Sequence, residues 1–448
     1  MTVDKPKREG YPFTRGRAAF DSYPARLTVR FPFDRKPSEI PLNEMTPVSA
    51  EQSDSPRSEI FRGHSAGIAT FMSGKNYGCD LQRYALQRVL RKFGLRALLI
   101  NYVPPLPARG GFFRRIFRAR HLISLAKGAV WFLDRRDAAF RRFAGRYLET
   151  TEPIGDDREL ARRAVFDCYV AGSDQIWNPT ISRVTAGIGF FTLDFAPSGK
   201  KISYAPSLGV SRIDPSYAER LKRSLSSFDW ISVREKEGAE ILRTVLGRPV
   251  DVVLDPTMLL TPKEWDAVAD EARPRSVQKK KYIFCYSLGN TPQVLDAARR
   301  LASAYNATVA AICYSPFDAL RLKAICPYCR PVLNAGPAEF VSLIRSAECV
   351  VTDSFHGTVF SILYHRPFRT MMRDRRDGAS SMNSRVKTLL ETFGLESRLF
   401  DPADFSPGEA GGANFAAADD ILLRCREDSL KKLERGLRKV LIDEKSSD

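Results

Sequence analysis

The sequence predicts an α/β protein with two doubly wound parallel sheets, and three observations carry this prediction. Short apolar runs alternate with segments of helical periodicity roughly 10–15 residues long, as in units of strand, helix and strand. The alternation occurs twice, on either side of a stretch rich in Pro, Glu and Lys at 256–281. Polar residues follow many of the apolar runs directly, and ligands of such sheets bind at the carboxyl ends of strands.

The first series of elements begins near residue 68. Residues 79–93 carry apolar side chains at the spacing of a buried helical stripe, which Gly94 ends, and residues 234–246 predict a second helix. Strands are predicted at 97–102, 165–171, 201–205, 230–233 and 250–254.

The second series has strands predicted at 282–287, 308–313, 349–352 and 368–372. Helices are expected to begin near Pro292, Pro337 and His356, the first two with proline where a first helical turn tolerates it. A long amphipathic helix at about 419–442 is long enough to cross back onto the first series.

The chain therefore divides into four predicted parts. Residues 1–60 form a basic extension without periodicity, which we expect to be disordered. The others are a first domain (61–270) with a basic helical insertion at about 109–146, a second domain (271–405), and a C-terminal helix and tail (406–448).

The composition limits the possible functions. A chain of 448 residues, 44% of them hydrophobic, can bury a substantial core. Its formal net charge of +18 points to anionic substrates or an anionic lipid surface. No nucleic-acid-binding motif accompanies the charge, so no specific nucleic-acid partner is expected.

The N-terminus and the cysteines favour a cytoplasmic protein. The opening residues lack the apolar region of a secretory signal, and the apolar stretch at 121–133 is interrupted by Lys127 and too short to span a bilayer. Eight scattered cysteines are expected to be reduced thiols. Cys326 and Cys329 form a lone CxxC, which is weak evidence for zinc or redox chemistry.

Polar segments at five predicted strand ends form the strongest signal of a site. They are Gly172–Pro179, Pro206–Gly209, Arg234–Glu235, Asp255–Thr257 and Asp353–Gly357. Their motifs GSDQIWNP, SYAPSLG, SVREKEG, LDPTMLL and TDSFHGTVFSILYHRPF, in this order, resemble the polysaccharide pyruvyl transferase family. The segment NYGCDLQRYALQRVLRKFGLRALLINY resembles the opening of that family, and the similarity covers roughly residues 68–400.

The resemblance implies two Rossmann-like domains facing a cleft, as in GT-B glycosyltransferases. It implies phosphoenolpyruvate as donor and, as acceptor, a sugar of a surface polysaccharide or of its lipid-linked precursor. The product would be a pyruvate ketal in exopolysaccharide and cell-envelope biosynthesis. Residues 61–270 would form the acceptor side and residues 271–405 the donor side. No metal or other cofactor is expected, and no nucleotide-phosphate loop is present in the sequence.

Arg234 is the first candidate for binding the donor. A trianion with carboxylate and phosphate suits the planar, permanently charged fork of arginine, and Arg234 opens a helix whose amides add positive potential. The matching arginine of the family binds the donor. The alternative is a surface arginine paired with Glu235 or Glu237.

His356 is the second candidate, because its charge can change near neutral pH and Gly357 beside it would let a ligand approach the backbone. The resemblance implies that it contacts the donor; the alternative is a buried, hydrogen-bonded histidine. Some family members have an arginine where Ser354 stands. A compensating cation would come from Arg369, Arg373 or Arg385, or Ser354 would bond a phosphate oxygen.

Asp174 is the candidate general base for the acceptor hydroxyl, with Ser173 and Gln175 beside it. Helix capping is an equal alternative for Asp174, and the same ambiguity applies to Asp255 and Asp353. Further substrate-binding candidates, assigned by strand-end position or by the resemblance, are Ser207, Asp353, Asn76 and Tyr77, with Gly78 beside them. Trp177 would stack on a sugar ring or belong to the core.

Two other functions stay open from the sequence. A glycosyltransferase of similar architecture would use a nucleotide sugar instead of phosphoenolpyruvate. A non-catalytic protein that binds anionic membranes or polymers would account for the charge alone. The basic, aromatic-bearing segment 109–146 would either dock on anionic lipid or pack as a solvated helix on the first domain.

Overall fold

A computed structural model of the chain describes residues 57, 59–72, 75–103, 135–273, 276–289, 291–372, 384–401 and 415–443. Nearly all of the N-terminal extension, most of the basic insertion and Arg373 lie outside these described residues, so the predictions made for them stay predictions. The same holds for the domain boundaries at 60, 270 and 405.

The first sheet is parallel, with strand order β2-β1-β3-β4. Its strands are β1 (Ser65–Ala69), β2 (Arg96–Leu99), β3 (Cys168–Ala171) and β4 (Lys201–Ser203). A parallel bridge between Ile202 and Trp230 leads on to the pair β5 (Ser232–Val233) and β6 (Asp251–Val252). This order reverses between β1 and β3, a switch point at which doubly wound sheets bind ligands.

The second sheet is also parallel, with strand order β11-β10-β7-β8-β9. Its strands are β7 (Tyr282–Tyr286), β8 (Thr308–Ile312), β9 (Arg330–Val332), β10 (Cys349–Thr352) and β11 (Phe368–Thr370). The first strand of the series lies in the centre, so the order reverses between β7 and β10. The predicted fold class, an α/β protein with two Rossmann-like sheets, is confirmed.

Helices connect the strands of both sheets. They are α1 (Tyr77–Lys92), α2 (Arg136–Tyr147), α3 (Asp157–Arg163), α4 (Ser182–Ala186), α5 (Ile188–Phe191), α6 (Pro215–Leu225), α7 (Lys236–Leu246), α8 (Pro262–Asp270), α9 (Thr291–Ala304), α10 (Pro316–Ile325), α11 (Pro337–Arg345), α12 (Phe355–Leu363), α13 (Ser384–Phe393) and α14 (Phe415–Leu441). Side chains fix several starts: Asp214, Thr261 and Ser315 each accept a backbone N–H of the first turn and precede a proline.

The two halves share an apolar core. Trp265 of α8 is fully buried and packs edge-on against Tyr84 of α1 and Phe360 of α12. The C-terminal helix α14 crosses back onto the first series, as its length predicts. Gly436 lies directly against the indole of Trp230, and the Ser429 hydroxyl accepts the backbone N–H of Leu254. Helix α14 thus lies against the residues that adjoin β5 and β6 of the first series.

The described part of the basic insertion is helix α2, which packs inward. Phe140 and Phe143 are buried, and the guanidinium of Arg136 lies over the rings of Tyr77 and Tyr314. This supports the packing alternative for the described part, 135–146. No helix among the described residues has the length and apolar character needed to cross a membrane.

The prediction of reduced thiols is wrong for one pair of cysteines. Cys326 and Cys329 form a disulfide at the end of α10, where the turn brings their Cα atoms to 5.3 Å, within the usual disulfide range. The other cysteines are free thiols: Cys79, Cys168, Cys285, Cys313, Cys349 and Cys425.

Candidate active site

The segments that follow three strands bring the leading candidates together between the two sheets. Asp174 follows β3, Arg234 follows β5, and His356 lies in the first turn of α12 after β10. Arg234 Nη2 is 3.8 Å from Asp174 Oδ1, and His356 Nε2 is 3.7 Å from Asp255 Oδ2. Residues separated by nearly two hundred positions therefore form one buried ionic cluster at the facing carboxyl ends of the sheets.

Arg234 is the centre of this cluster. Its side chain is almost completely buried, its Nη1 donates to Asp255 Oδ2 at 2.6 Å, and its guanidinium carbon lies 4.3 Å from the centre of the Phe355 ring. Burial alone would lower the pKa of Arg234, but the carboxylates of Asp255 and Asp174 outweigh it and raise the pKa. The alternative of a surface arginine paired with Glu235 or Glu237 is wrong, because the partner is the buried Asp255.

Two nitrogen donors of the Arg234 side chain take no part in its hydrogen bond to Asp255. Nε and Nη2 are buried and have no hydrogen-bond partner among the described residues. Buried polar atoms are almost always hydrogen-bonded, so orphaned donors on a buried cation suit an anionic ligand.

Asp174 is held in an unusual backbone conformation. Its φ of 69° lies in the left-handed region, which is uncommon for a residue other than glycine and often marks functional sites. Oδ2 accepts the Cys79 thiol at 2.8 Å, and Oδ1 accepts the N–H of Gln175 at 2.8 Å. No helix begins at Asp174, so the capping alternative is wrong there.

The Asp174 carboxyl is charged at neutral pH. Burial alone would raise its pKa, but the positive charges of Arg234 and His356, followed by the Cys79 hydrogen bond, outweigh burial and lower the pKa. The same holds for Asp255, whose pKa His356, Arg234 and Thr257 keep well below the usual value despite burial. The cluster thus combines two anions with a permanent cation and a histidine.

His356 is buried, 7% exposed, and its Nε2 has no hydrogen-bond partner among the described residues. It therefore differs from the fully hydrogen-bonded histidine of the alternative interpretation. Gly78 of α1 lies against its Nδ1, so the imidazole fills the space where another residue would have a side chain.

Three other predicted site residues, Ser173, Ser207 and Gln175, make hydrogen bonds to neighbouring loops. The Ser173 hydroxyl donates to Ala205 O at 2.8 Å, and the Ser207 hydroxyl donates to Glu235 Oε1 at 2.9 Å. Gln175 Oε1 accepts the side-chain amide of Asn178 at 2.7 Å. Ser173 and Ser207 are fully buried, so both hydroxyls hold loops in place.

In the motif around His356, the neighbouring candidates Asp353 and Ser354 also make structural hydrogen bonds. Asp353 accepts the backbone N–H groups of Leu288 and Gly289, and the Ser354 hydroxyl caps α12 by accepting the N–H of Gly357. The expectation that Gly357 admits a ligand stays a prediction, but its missing side chain faces Thr352. A Cβ there would lie 2.7 Å from Thr352 Oγ1, so the glycine lets α12 pack closely on β10.

Asn76, Tyr77 and Trp177 also have structural contacts. Asn76 caps α1, and Tyr77 is buried, stacked on Phe340 at 4.8 Å and donating to Ala335 O. Trp177 is fully buried and its indole N–H donates to Phe191 O, so it belongs to the core.

Sequence reasoning missed two side chains of the site and left a third undecided. Nothing in the pattern distinguished Cys79 or Phe355 from core residues. Among the three candidate compensating cations, Arg369 is buried and donates to Ser397 O, and Arg373 lies outside the described residues. Arg385 of α13 lines a pocket together with Arg234.

Comparisons with solved structures show proteins with similar chain courses at low identity. UDP-N-acetylglucosamine 2-epimerase from Rickettsia bellii is 12% identical over 83% of this chain and 97% of its own, with a TM-score of 0.38. Staphylococcus aureus MnaA in a co-structure with UDP is 12% identical over 82% and 90%, with a TM-score of 0.45. Escherichia coli ADP-heptose lipopolysaccharide heptosyltransferase II is 12% identical over 81% and 99%, with a TM-score of 0.35.

A search of curated proteins finds no significant match. The sequence profile described as Polysaccharide pyruvyl transferase matches residues 76–375, which are well over half of the chain. This range begins at the cap of α1, includes Asp174, Arg234, Asp255 and His356, and ends beyond the second sheet. The chain therefore belongs to the polysaccharide pyruvyl transferase family.

Proposed function

We propose that this transferase moves pyruvate from phosphoenolpyruvate to two hydroxyls of a sugar, forming a pyruvate ketal and releasing phosphate. The observation that carries the proposal is the meeting of Arg234, His356 and Asp174 in a chain of this family. The acceptor would belong to a surface polysaccharide or to its lipid-linked precursor.

Donor binding is assigned to Arg234 and His356. The unpartnered Nε and Nη2 of Arg234 offer the paired donors that a carboxylate or a phosphate accepts. The Nε2 of His356, also unpartnered among the described residues, offers a further donor when it is protonated. Asp255, which contacts both side chains, fixes their relative position.

His356 would also supply the first proton of the reaction. Its Nε2 lies 3.7 Å from Asp255 Oδ2, and a protonated imidazole held in this position beside the donor would act as a general acid. Transfer of this proton to the methylene carbon of phosphoenolpyruvate converts the C=CH₂ group to a methyl group. The neighbouring carbon becomes cationic and open to attack.

Asp174 would then accept the proton of the first sugar hydroxyl. A carboxylate with a lowered pKa is a weak base, but a weak base suffices here. A hydroxyl that adds to a cationic carbon becomes strongly acidic as the C–O bond forms. Its negative charge, assured by Arg234 and His356, also stabilises the developing cation.

Loss of phosphate from this adduct regenerates a cationic carbon, and the second hydroxyl adds to it and loses its proton. The sum is phosphoenolpyruvate plus a sugar diol giving the cyclic ketal plus inorganic phosphate. Of the two protons that leave the hydroxyls, one replaces the proton given to the methyl carbon and the other is taken up by the departing phosphate. The C–O bond to phosphate is replaced by a C–O bond to the sugar, so there is no net change of oxidation state and no oxidant or reductant is needed.

We also propose that the enzyme works in the cytoplasm at the inner face of the cell membrane, where a lipid-linked acceptor would lie. Helix α10 supports this placement, because Phe317, Leu320 and Ile325 are each more than 60% exposed. Arg321 and Lys323 are exposed on the same helix. Apolar residues flanked by cations suit an anionic lipid surface, as does the net charge of +18.

The test is incubation of the pure enzyme with phosphoenolpyruvate and a panel of galactose, mannose, glucose and N-acetylated acceptors. We expect acceptor-dependent phosphate release and a sugar product heavier by one pyruvate ketal. His356→Gln should abolish both, whereas the matched change His365→Gln, at a half-exposed histidine paired with Asp419, should retain them. No release with any acceptor, combined with thermal stabilisation by a nucleotide sugar alone, would favour a glycosyltransferase instead.

A further inference from the structure

A small pocket adjoins the ionic cluster on the side of α13 and α14. Arg234, Asp255 and Phe355 form one wall, and the pocket volume is about 180 Å³. The remaining walls come from Lys236 of α7, residues 252–254, Met258, and the helices α13 and α14. Ligand sites for drug-sized molecules commonly measure roughly 300–1,000 Å³, so this pocket suits a smaller molecule.

The walls carry more positive than negative charge. Three cations, Arg234, Lys236 and Arg385, face two carboxylates, Asp255 and Asp428. Asp428 forms an ion pair with the Lys432 ammonium at 2.7 Å. An anion entering the pocket therefore meets a net positive surface.

The start of helix α7 adds to this positive potential. Glu235 stands at the N-cap but makes no side-chain cap, because its Oε1 accepts the Ser207 hydroxyl and the N–H groups of Leu208 and Gly209. Lys236 occupies the first helical position, where a cation opposes the helix dipole. A bound anion would stabilise both the amides and the lysine.

Two guanidinium groups meet at one aromatic ring in the pocket wall. The guanidinium carbons of Arg234 and Arg385 lie 4.3 and 5.9 Å from the centre of the Phe355 ring. Both side chains are at least nine-tenths buried, and Nε and Nη2 of Arg234 lack a hydrogen-bond partner among the described residues. The hydrogen bond to Asp255 uses only Nη1 of Arg234, so its Nε and Nη2, with the Arg385 guanidinium nearby, are placed to bind a further anion.

We propose that this pocket binds the phosphate or carboxylate end of the donor, and that Arg385 is its second guanidinium. The inference rests on the proposed function for the identity of the donor, but not for the charge of the ligand. Arg385 thereby supplies the cation that Ser354, which caps α12, does not. The small volume selects a short phosphorylated acid over a nucleotide sugar.

The experiment measures binding directly, by calorimetry of the full chain with phosphoenolpyruvate and, separately, with inorganic phosphate. The variants are Arg385→Gln, Arg385→Lys and the matched control Lys387→Gln, which removes an exposed cation from the same helix without touching the pocket. Melting temperatures without ligand confirm that each variant is folded. Loss of a charge-assisted hydrogen bond should weaken phosphoenolpyruvate binding about tenfold to a hundredfold in Arg385→Gln.

Arg385→Lys should fall between Arg385→Gln and the wild type, because it keeps the charge but loses the planar fork. Equal weakening in Arg385→Gln and Lys387→Gln, or no weakening in either, overturns the inference while acceptor-dependent phosphate release can still uphold pyruvyl transfer. Arg385-dependent binding of inorganic phosphate, in an enzyme that does not bind phosphoenolpyruvate, supports the anion pocket and overturns the assigned donor.

Discussion

Gly78, in the first turn of α1, lies directly against the imidazole of His356, in the first turn of α12. A Cβ at position 78 would overlap the Nδ1 and Cε1 atoms of that ring. Helix α1 of the first series therefore contributes a glycine to the site. Because Gly78 has no side chain, there is room for His356 of the second series.

We predict that Gly78→Ala displaces His356 and abolishes phosphate release. Overpacking of this kind costs about 1–3 kcal/mol, so the melting temperature should fall while the chain still folds. Gly145→Ala is the control, because nothing lies within 4 Å of a Cβ there and alanine favours a helix. Full activity of Gly78→Ala would show that the position of His356 does not matter for the reaction.

The buried pair of Arg234 and Asp255 makes a prediction about stability. Asp255→Asn leaves the Arg234 charge without its closest partner, and breaking a buried pair costs about 3–5 kcal/mol. Urea denaturation at pH 7 should show this loss, whereas Glu219→Gln, at an exposed carboxylate on α6, should change stability by less than about 0.5 kcal/mol.

The sign of the pH dependence follows from the lowered pKa of Asp255. Its carboxylate contributes stability that is fully present above the unfolded-state pKa of about 3.9 and is lost as pH falls towards the folded-state value. Wild-type stability should decrease on acidification below about pH 4 more steeply than that of Asp255→Asn. Parallel curves for the two proteins would contradict the role of the pair.

Much of the fold could be predicted from the sequence, because strand and helix periods alternate clearly. The strands β1 (SAGIA) and β9 (RPV) were missed, since small residues and a proline–arginine pair carry little strand signal. Several predicted strands are one or more residues too long at their carboxyl ends, because buried loop residues such as Tyr204 and Ala205 are apolar as well.

The candidate site was predictable where a residue follows a strand and is chemically distinctive, as with Arg234, His356 and Asp174. What the sequence could not supply is the direction of each side chain. Gly357 faces Thr352 and Trp177 lies in the core, although both stand in motifs that also carry site residues. Cys79 is adjacent to Asp174 only through the packing of α1 on the sheet, which no local pattern encodes.

The Cys79 thiol is predicted to lower the pKa of Asp174 through the hydrogen bond that it donates. Cys79→Ala removes a hydrogen bond that favours the charged carboxylate, so the pKa of Asp174 should rise and the acid limb of the activity profile should move to higher pH. Cys79→Ser keeps a donor and should restore the wild-type limb. A profile that moves equally in both variants would indicate packing rather than the hydrogen bond.

The exposed apolar residues of α10 make the last prediction, which concerns the membrane. Replacing Phe317 and Leu320 by glutamate removes apolar area and adds repulsion from anionic headgroups. Sedimentation with vesicles of phosphatidylglycerol and phosphatidylcholine should show the wild type bound and the double variant largely free. The control variant carries glutamate at Val165 and Leu423, which are equally exposed elsewhere and add the same charge, and should stay mostly bound. Equal loss in both variants would mean that net charge alone governs binding, and α10 would then have no special part in it.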